Sequence, residues 1–164
     1  MKKILVFALA LVMVLSLSVT AFASGTGNDD SASDNTKDTS VTFNVAPTYT
    51  VTIPQKVELD KKTAENGTIT YEKDLTISAE NVRLLEGQKI KVQLTGCDFT
   101  LTAGNTNWPY TVTVGNESIT AQNNVVATFE TSTNKQSSTL HFAAGNPEFA
   151  GEYSDTVTFT ISVA

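Results

Sequence analysis

The chain has 164 residues, one cysteine, one histidine and a formal net charge of −6 at pH 7. One cysteine excludes an intrachain disulfide, and one histidine excludes a zinc site built from several histidines. The acidic balance, without any basic tract, argues against binding to nucleic acid or to an anionic lipid surface.

The first element is a predicted secretory signal peptide, residues 1–23. The basic start MKK is followed by the apolar run ILVFALALVMVLSLSVTAF and by the small-x-small sequence AFA at residues 21–23, which is typical of a cleavage site. The alternative is a retained N-terminal membrane anchor, since the run is long enough to span a bilayer. Both interpretations place the rest of the chain outside the cytoplasm, and the short Leu/Val-rich signal favours a bacterial source. After cleavage we expect a secreted or surface-associated protein without membrane contact.

Residues 24–40, SGTGNDDSASDNTKDTS, form a predicted disordered linker that is acidic and polar. They contain no aliphatic side chain larger than alanine, so little apolar burial is available to offset the entropy of ordering. Four aspartates in this stretch raise the question of calcium. Their spacing lacks the regularity of a calcium loop, so we interpret them as a solvated charge run and expect no metal and no cofactor.

From residue 41 the pattern becomes that of half-buried β-strands. Between Val41 and Ile53 the apolar residues occupy odd positions and the polar ones even positions, with Pro47 and Pro54 as interruptions. Period-two alternation predicts a strand with one buried face. Asn66-Gly67 then predicts a hairpin between KVELDKKTAE and TITYEKDLTIS.

Further alternating segments follow at short intervals, separated by turn signals. They are QKIKVQL, DFTLT, YTVTV, NNVVATFET, STLHF and DTVTFTISV. Only residues 78–87, SAENVRLLEG, are compatible with a helical turn. About eight short strands with regular turns predict an all-β protein, a single immunoglobulin-like antiparallel β-sandwich domain over residues 41–164.

The last alternating segment is the most regular one. One face carries the odd residues Val157, Phe159, Ile161 and Val163, and the other carries Thr156, Thr158, Thr160 and Ser162. We predict that the odd residues belong to the core. A terminal strand that leaves an open edge would invite association, so we also expect this strand to be paired on both sides.

Two segments resemble a broad group of small secreted bacterial immunoglobulin-like domains. They are YTVTIPQKVEL, with Ile53-Pro54 ending an early strand, and AGEYSDTVTFTISV, with Gly151, Tyr153 and Asp155 before the last strand. The group includes Gram-positive surface proteins, WxL-type wall-binding proteins, and the fimbrial and spore-coat-U-like families. The resemblance implies a sandwich fold and a cell-surface setting, and it transfers no active site. A Trp-x-Leu motif is missing, because Trp108 is followed by Pro109.

Catalytic residue types are scarce. His141 lies between Leu140 and Phe142, so it should point away from the core that they share. Cys97 has no neighbouring lysine or histidine to lower its pKa, and we expect a small, partly buried turn residue. Glu148 and Glu152 are a possible pair of catalytic carboxylates, but the sequence does not give the distance between their carboxyl groups. We therefore predict a protein that is not an enzyme, with a small hydrolase of unrecognised site as an alternative.

The predicted binding residues are Trp108 and Tyr110. An indole and a phenol close together suit stacking on a sugar, so a carbohydrate-binding module is one interpretation. Trp108 and Tyr110 fall on the same side of the strand as Val112 and Val114. This supports the alternative interpretation, in which the two aromatic side chains fill the core at one end of the sandwich. The expected partner is a protein or a glycan at the cell surface. We favour a monomer, with a homopolymer formed by donating residues 41–45 to a neighbour as the alternative.

Overall fold

The computed structural model describes residues 8–11 and 40–164, and side chains from residue 40 onwards. Residues 1–7 and 12–39 lie outside the described part, so nearly all of the linker prediction and most of the signal-peptide prediction fall there. The described residues contain no helix and eleven strands. The strands are β1 (Ala8–Leu11), β2 (Thr48–Pro54), β3 (Asp60–Thr63), β4 (Ile69–Arg83), β5 (Ile90–Gly96), β6 (Thr100–Ala103), β7 (Thr106–Val114), β8 (Glu117–Ser118), β9 (Val125–Phe129), β10 (Gln136–Gly145) and β11 (Thr158–Val163).

The strands form two antiparallel sheets, which confirms the predicted all-β sandwich. The larger sheet has the order β1-β2-β4-β10-β7-β6, with β3 paired to β4 and β8 paired to β7. The smaller sheet has the order β11-β5-β9. Short hairpin strands, among them β3 and β8, bring the number above the eight or so expected.

The core lies between the middle of the two sheets. It draws on alternate residues of β4, β5, β7 and β10 and on consecutive residues of β9, as period-two burial requires. Its buried apolar members are Val51, Leu75, Ile77, Ala79, Val82, Ile90, Val92, Leu94, Tyr110, Val112, Ile119, Val126, Ala127, Phe129, Leu140, Phe142 and Ala144. We call the part formed by β5 and β9 with β4 and β10 the closed side.

The predicted hairpin at Asn66-Gly67 is present. Strands β3 and β4 pair from Thr63↔Ile69 outwards, and the Asn66 side chain accepts a hydrogen bond from the backbone N–H of Thr68 at 3.0 Å. Gly67 has φ 81°, which glycine adopts without steric penalty.

Residues 78–87, the one segment compatible with a helical turn, do not form one, because β4 continues through Arg83. Asn81 has φ 54° and sits at a shift in register between β2 and β4. This bulge changes the parity of burial, from odd residues such as Ile77 and Ala79 to the even residue Val82. One extra residue in a bulge turns the following side chains to the other face, which hides the strand from a period-two search.

The strand predicted from residue 41 begins only at Thr48. Residues 40–47, which we call the arm, form no strand, and Val41 and Phe43 are each 89% exposed. Val45, Ala46 and Pro47 lie beside the loop at residues 83–86, around a small cavity of about 270 Å³. The alternation in the arm is real but has no partner strand, so it does not produce a half-buried strand in the single chain.

Candidate functional site

An open cleft of about 1170 Å³ separates the two sheets on the side opposite β9. One wall is formed by the larger sheet, with Val51 and Ile53 on β2 and Tyr71 and Leu75 on β4. We call this space the cleft. Its walls are largely apolar, and the space is far larger than the small voids of a close-packed protein interior.

Strand β11 forms the facing wall. It pairs with β5 alone, so the expectation that it is paired on both sides was wrong. Its inward face was predicted correctly as far as Ile161, since Phe159 and Ile161 are more buried than Thr158 and Thr160. The prediction was wrong for Val163, which is exposed at the end of the strand. Yet Phe159 and Ile161 are only half-buried, because they look into the cleft and no strand covers them.

The segment between β10 and β11 closes one end of the cleft and is fixed by backbone bonds. Ser154 and Thr102 exchange N–H···O bonds of 2.8 and 3.0 Å, and Tyr153 donates its hydroxyl to the Phe149 carbonyl at 3.0 Å. A Cβ at Gly151 would lie 3.2 Å from the Cβ of Ala103. Gly151 and Tyr153 therefore stabilise the fold of this segment.

A partly buried chain of hydrogen bonds connects this segment to the core. The Tyr110 hydroxyl donates to Asp155 Oδ2 at 2.7 Å and lies 3.0 Å from Cys97 Sγ. Because the hydroxyl has one proton, the thiol is the donor in the second bond. Burial raises the pKa of Tyr110 far above its usual value, and its bonds to Cys97 and Asp155 add to this effect.

Cys97 is partly buried, as predicted. Burial raises the pKa of its thiol, against the opposing effect of the bond to Tyr110. A protonated thiol is a poor nucleophile, so this group stabilises the segment and is unsuited to covalent catalysis.

Trp108 and Tyr110, the predicted binding residues, lie on the same face of β7 and both line the cleft. The two side chains differ in how much of their surface a ligand could contact. Tyr110 is 6% exposed, and its ring packs against Phe142 with centroids 6.2 Å apart. Trp108 is half-buried, and its Nε1–H donates to the Gly145 carbonyl at 3.1 Å. The indole is therefore the aromatic group of the pair that a ligand in the cleft could reach.

The rim of the cleft carries a few charged groups. Lys56 Nζ and Glu58 Oε1 form an ion pair of 2.5 Å with both side chains largely exposed. The hydrogen bond from Lys56, and then its charge, lower the pKa of Glu58. An ionised carboxylate held this way has no proton to give as a general acid near neutral pH.

The remaining reactive side chains are not gathered together in the cleft. His141 faces away from the core, as predicted, and its Nδ1 lies 2.7 Å from Asp74 Oδ1 on the outer face of the larger sheet. Glu152 lines the cleft whereas Glu148 does not. Within residues 40–164, no group of three or more His, Cys, Asp or Glu side chains is placed to hold a metal ion. None of the described residues belongs to a helix long and apolar enough to cross a membrane.

No protein-family model matches the chain, and no curated protein is significantly similar to it. The site therefore has to be interpreted from its own geometry. Sequence reasoning placed Trp108 and Tyr110 on one face but missed the cleft, since its two walls come from β2 and β11, about a hundred residues apart along the chain.

Proposed function

We propose that this chain is an exported, non-enzymatic protein of a bacterial surface, with a binding or structural role, and that the cleft is its binding site. The observation that carries the proposal is the cleft itself, a space of about 1170 Å³ between two sheets with apolar and aromatic walls. Export rests on the basic start, apolar run and AFA sequence of residues 1–23.

The shape of the cleft favours an extended polypeptide as its ligand. One wall is the edge strand β11, and the other is β2, whose outer edge is paired only with β1 (Ala8–Leu11) and would be open once residues 1–23 are removed. Edge strands offer unpaired backbone groups beside pockets for alternate side chains. The partly buried Ile53, Phe159 and Ile161 supply apolar surface on both walls. A bound chain with an apolar residue at every second position would match both features.

A carbohydrate is the second candidate, and Trp108 favours it. The half-buried indole on the wall of an open cleft resembles a stacking platform for a sugar ring. Against this, the indole N–H is already bonded to Gly145, and the Tyr110 ring is covered. A glycan therefore has one aromatic surface available here rather than two.

Trp108 is the only tryptophan of the chain, so its fluorescence reports directly on the cleft. Titration with alternating apolar peptides should shift the emission to shorter wavelength, and a Trp108→Phe chain should lose the signal but keep binding by calorimetry. An array of glycans tests the second candidate. Binding to glycans that Trp108→Ala abolishes, without any peptide binding, would replace the first candidate by the second.

The cellular part of the proposal needs its own test. Fractionation of the source cells should place the chain in the medium or on the surface, with residues 1–23 removed. Recovery of the uncleaved chain from the cytoplasm would contradict export.

A further inference from the structure

We infer that the polypeptide bound in the cleft carries a basic side chain, and that this side chain enters the end of the cleft closed by the segment between β10 and β11. The inference names the chemistry of the ligand and rests on the proposed function, since it requires a peptide in the cleft. We call that end, lined by Trp108, Phe149, Glu152, Tyr153 and Asp155, the aromatic end.

The aromatic end is formed where the chain after β10 folds back over Trp108. The indole N–H donates to the Gly145 carbonyl at 3.1 Å, and the chain then returns through Tyr153, whose hydroxyl donates to the Phe149 carbonyl at 3.0 Å. Phe149 is 60% exposed, and Trp108 and Tyr153 are half-buried. Open aromatic faces attract cations, and the face of an indole attracts them most strongly. Three such residues around one end of an open cleft therefore favour a cationic group.

Strand pairing brings Asp155 close to this indole. Leu101 on β6 lies opposite Trp108 on β7, and the next residue, Thr102, exchanges two backbone hydrogen bonds with Ser154. Asp155 follows directly after Ser154. An acidic side chain and an open aromatic ring therefore lie at the same end of the cleft.

The Asp155 carboxylate is held in place before any ligand binds. Its Oδ2 accepts a hydrogen bond from the Tyr110 hydroxyl at 2.7 Å, and its Oδ1 accepts one from the backbone N–H of Thr156 at 2.7 Å. A carboxylate has about four acceptor sites, so each oxygen can still accept a bond from a ligand. Because the group is already ordered, a bound cation would not have to offset the entropy of fixing it.

The charges that line the cleft are unbalanced. Three lining residues are acidic, Glu58, Glu152 and Asp155, and one is basic, Lys56. The hydrogen bond to Glu58, and then its charge, raise the pKa of Lys56, and the charge of Glu152 makes the smallest contribution. Within residues 40–164, neither Glu152 nor Asp155 forms an ion pair of its own. Lys56 thus neutralises Glu58, and the other two carboxylates are left to attract a basic ligand.

A basic residue in an extended peptide would use both features at once. A guanidinium stacks on aromatic rings and pairs with carboxylates, and its aliphatic stem can lie along apolar surface. In an extended chain every second side chain points to the same side. One inward residue could then reach the aromatic end, while its apolar neighbours on that side face Ile53, Phe159 and Ile161.

The test compares pairs of peptides on the purified chain that begins at Ser24. Each peptide alternates valine and threonine, with one valine replaced either by arginine or by citrulline, which has nearly the same shape without the charge. The replacement is made at each valine position in turn. Calorimetry should find an arginine peptide that binds about tenfold more tightly than its citrulline partner. This preference should weaken as the ionic strength rises.

Glu152→Gln and Glu148→Gln are the matched variants. Each removes one charge from the same exposed segment, but only Glu152 lines the cleft. The preference for arginine should fall about threefold in Glu152→Gln and stay unchanged in Glu148→Gln. Asp155→Asn should also reduce it, because the amide keeps an oxygen for the Tyr110 hydroxyl but carries no charge.

Equal binding of the arginine and citrulline peptides at every position would overturn the inference and leave the proposed peptide site intact. A preference that survives unchanged in both Glu152→Gln and Asp155→Asn would also overturn it, because the overall charge of −6 would then be the cause. If no peptide of either kind binds, the inference and the proposed peptide ligand are both wrong.

Discussion

Strands β5 and β11 are neighbours in the smaller sheet and have equally regular alternation, yet they differ in burial. On β5, Ile90 and Val92 are fully buried and Leu94 is 4% exposed. On β11, Phe159 and Ile161 are half-buried. Both strands turn their apolar face inward, but the closed side covers β5 whereas the cleft lies opposite β11. Alternation therefore reveals which face of a strand is apolar, and it does not reveal whether anything covers that face.

The largest predicted difference in stability is between a Phe→Ala substitution on the closed side and one on the wall of the cleft. Phe129→Ala on β9, where the ring is 2% exposed, should lower the free energy of unfolding by about 3–5 kcal/mol. Phe159→Ala should cost only about 1–2 kcal/mol, because its side chain is partly exposed to water in the folded chain. Urea unfolding of both variants measures the difference. Equal losses would show that the cleft is closed in solution.

A second prediction concerns the attachment of β11 to β5. A Cβ at Gly96 would lie 2.8 Å from Thr158 Oγ1 and 2.9 Å from its Cβ, so Gly96→Ala should cost about 1–3 kcal/mol by overpacking. Gly145→Ala is the matched control, because its nearest neighbour, Trp108, is an ordinary 3.7 Å away. Thermal melts should show a clear loss for the first variant only. Recovery in Gly96→Ala with Thr158→Gly would locate the cause at this contact.

A structural feature could be predicted from the sequence when the residues that determine it are close together along the chain. The alternation of β5 and the Asn66-Gly67 turn are local, and both were predicted correctly. Asn81 was missed, because a single positive φ reverses the parity of β4 without any change in composition. The edge position of β11 was also missed, since pairing partners are chosen by the whole sheet.

The same limit applies to the candidate site. Trp108 and Tyr110 share a parity, so their common face could be predicted. The bond of Tyr110 to Asp155, 45 residues away, could not, because Asp155 is positioned by the segment between β10 and β11. The arm shows the opposite kind of failure. Its alternation predicted a strand, but the single chain offers no partner strand for it.

Trp108 gives a third, smaller effect. Its indole is half-buried on the wall of the cleft and makes one hydrogen bond, to Gly145. Trp108→Ala should therefore cost about 1–2 kcal/mol, less than the 3–5 kcal/mol typical of a fully buried tryptophan. Acrylamide should quench the native emission in part. Emission that is fully protected from acrylamide would assign Trp108 to the closed core instead.

The smallest predicted loss of stability belongs to the polar chain at the end of the cleft. Tyr110→Phe removes the hydroxyl shared by Asp155 and Cys97 and should cost about 1 kcal/mol, because Asp155 is exposed and water can replace its partner. Chemical unfolding measures this cost. A loss as large as that of Phe129→Ala would contradict the assignment of Asp155 to the solvated rim.

Tyr110 also makes stability depend on alkaline pH. Burial raises the folded-state pKa of Tyr110, whereas in the unfolded chain it is about 10. Above that pH the unfolded state releases a proton that the folded state keeps, so stability is complete below about pH 10 and falls as the pH rises further. The decline should be shallower in Tyr110→Phe. An ultraviolet titration should show one tyrosine of the four in the chain ionising only on unfolding.

The central claim, a sandwich closed on one side and open on the other, is tested most directly by native-state hydrogen exchange of β5 and β11. Backbone amides of β5 that bond to β9 should exchange only through global unfolding. Those of β11 should exchange at least about a hundredfold faster through local opening, since the strand is paired on one edge and covers no closed core. Equal protection of the two strands in the monomer would contradict the claim.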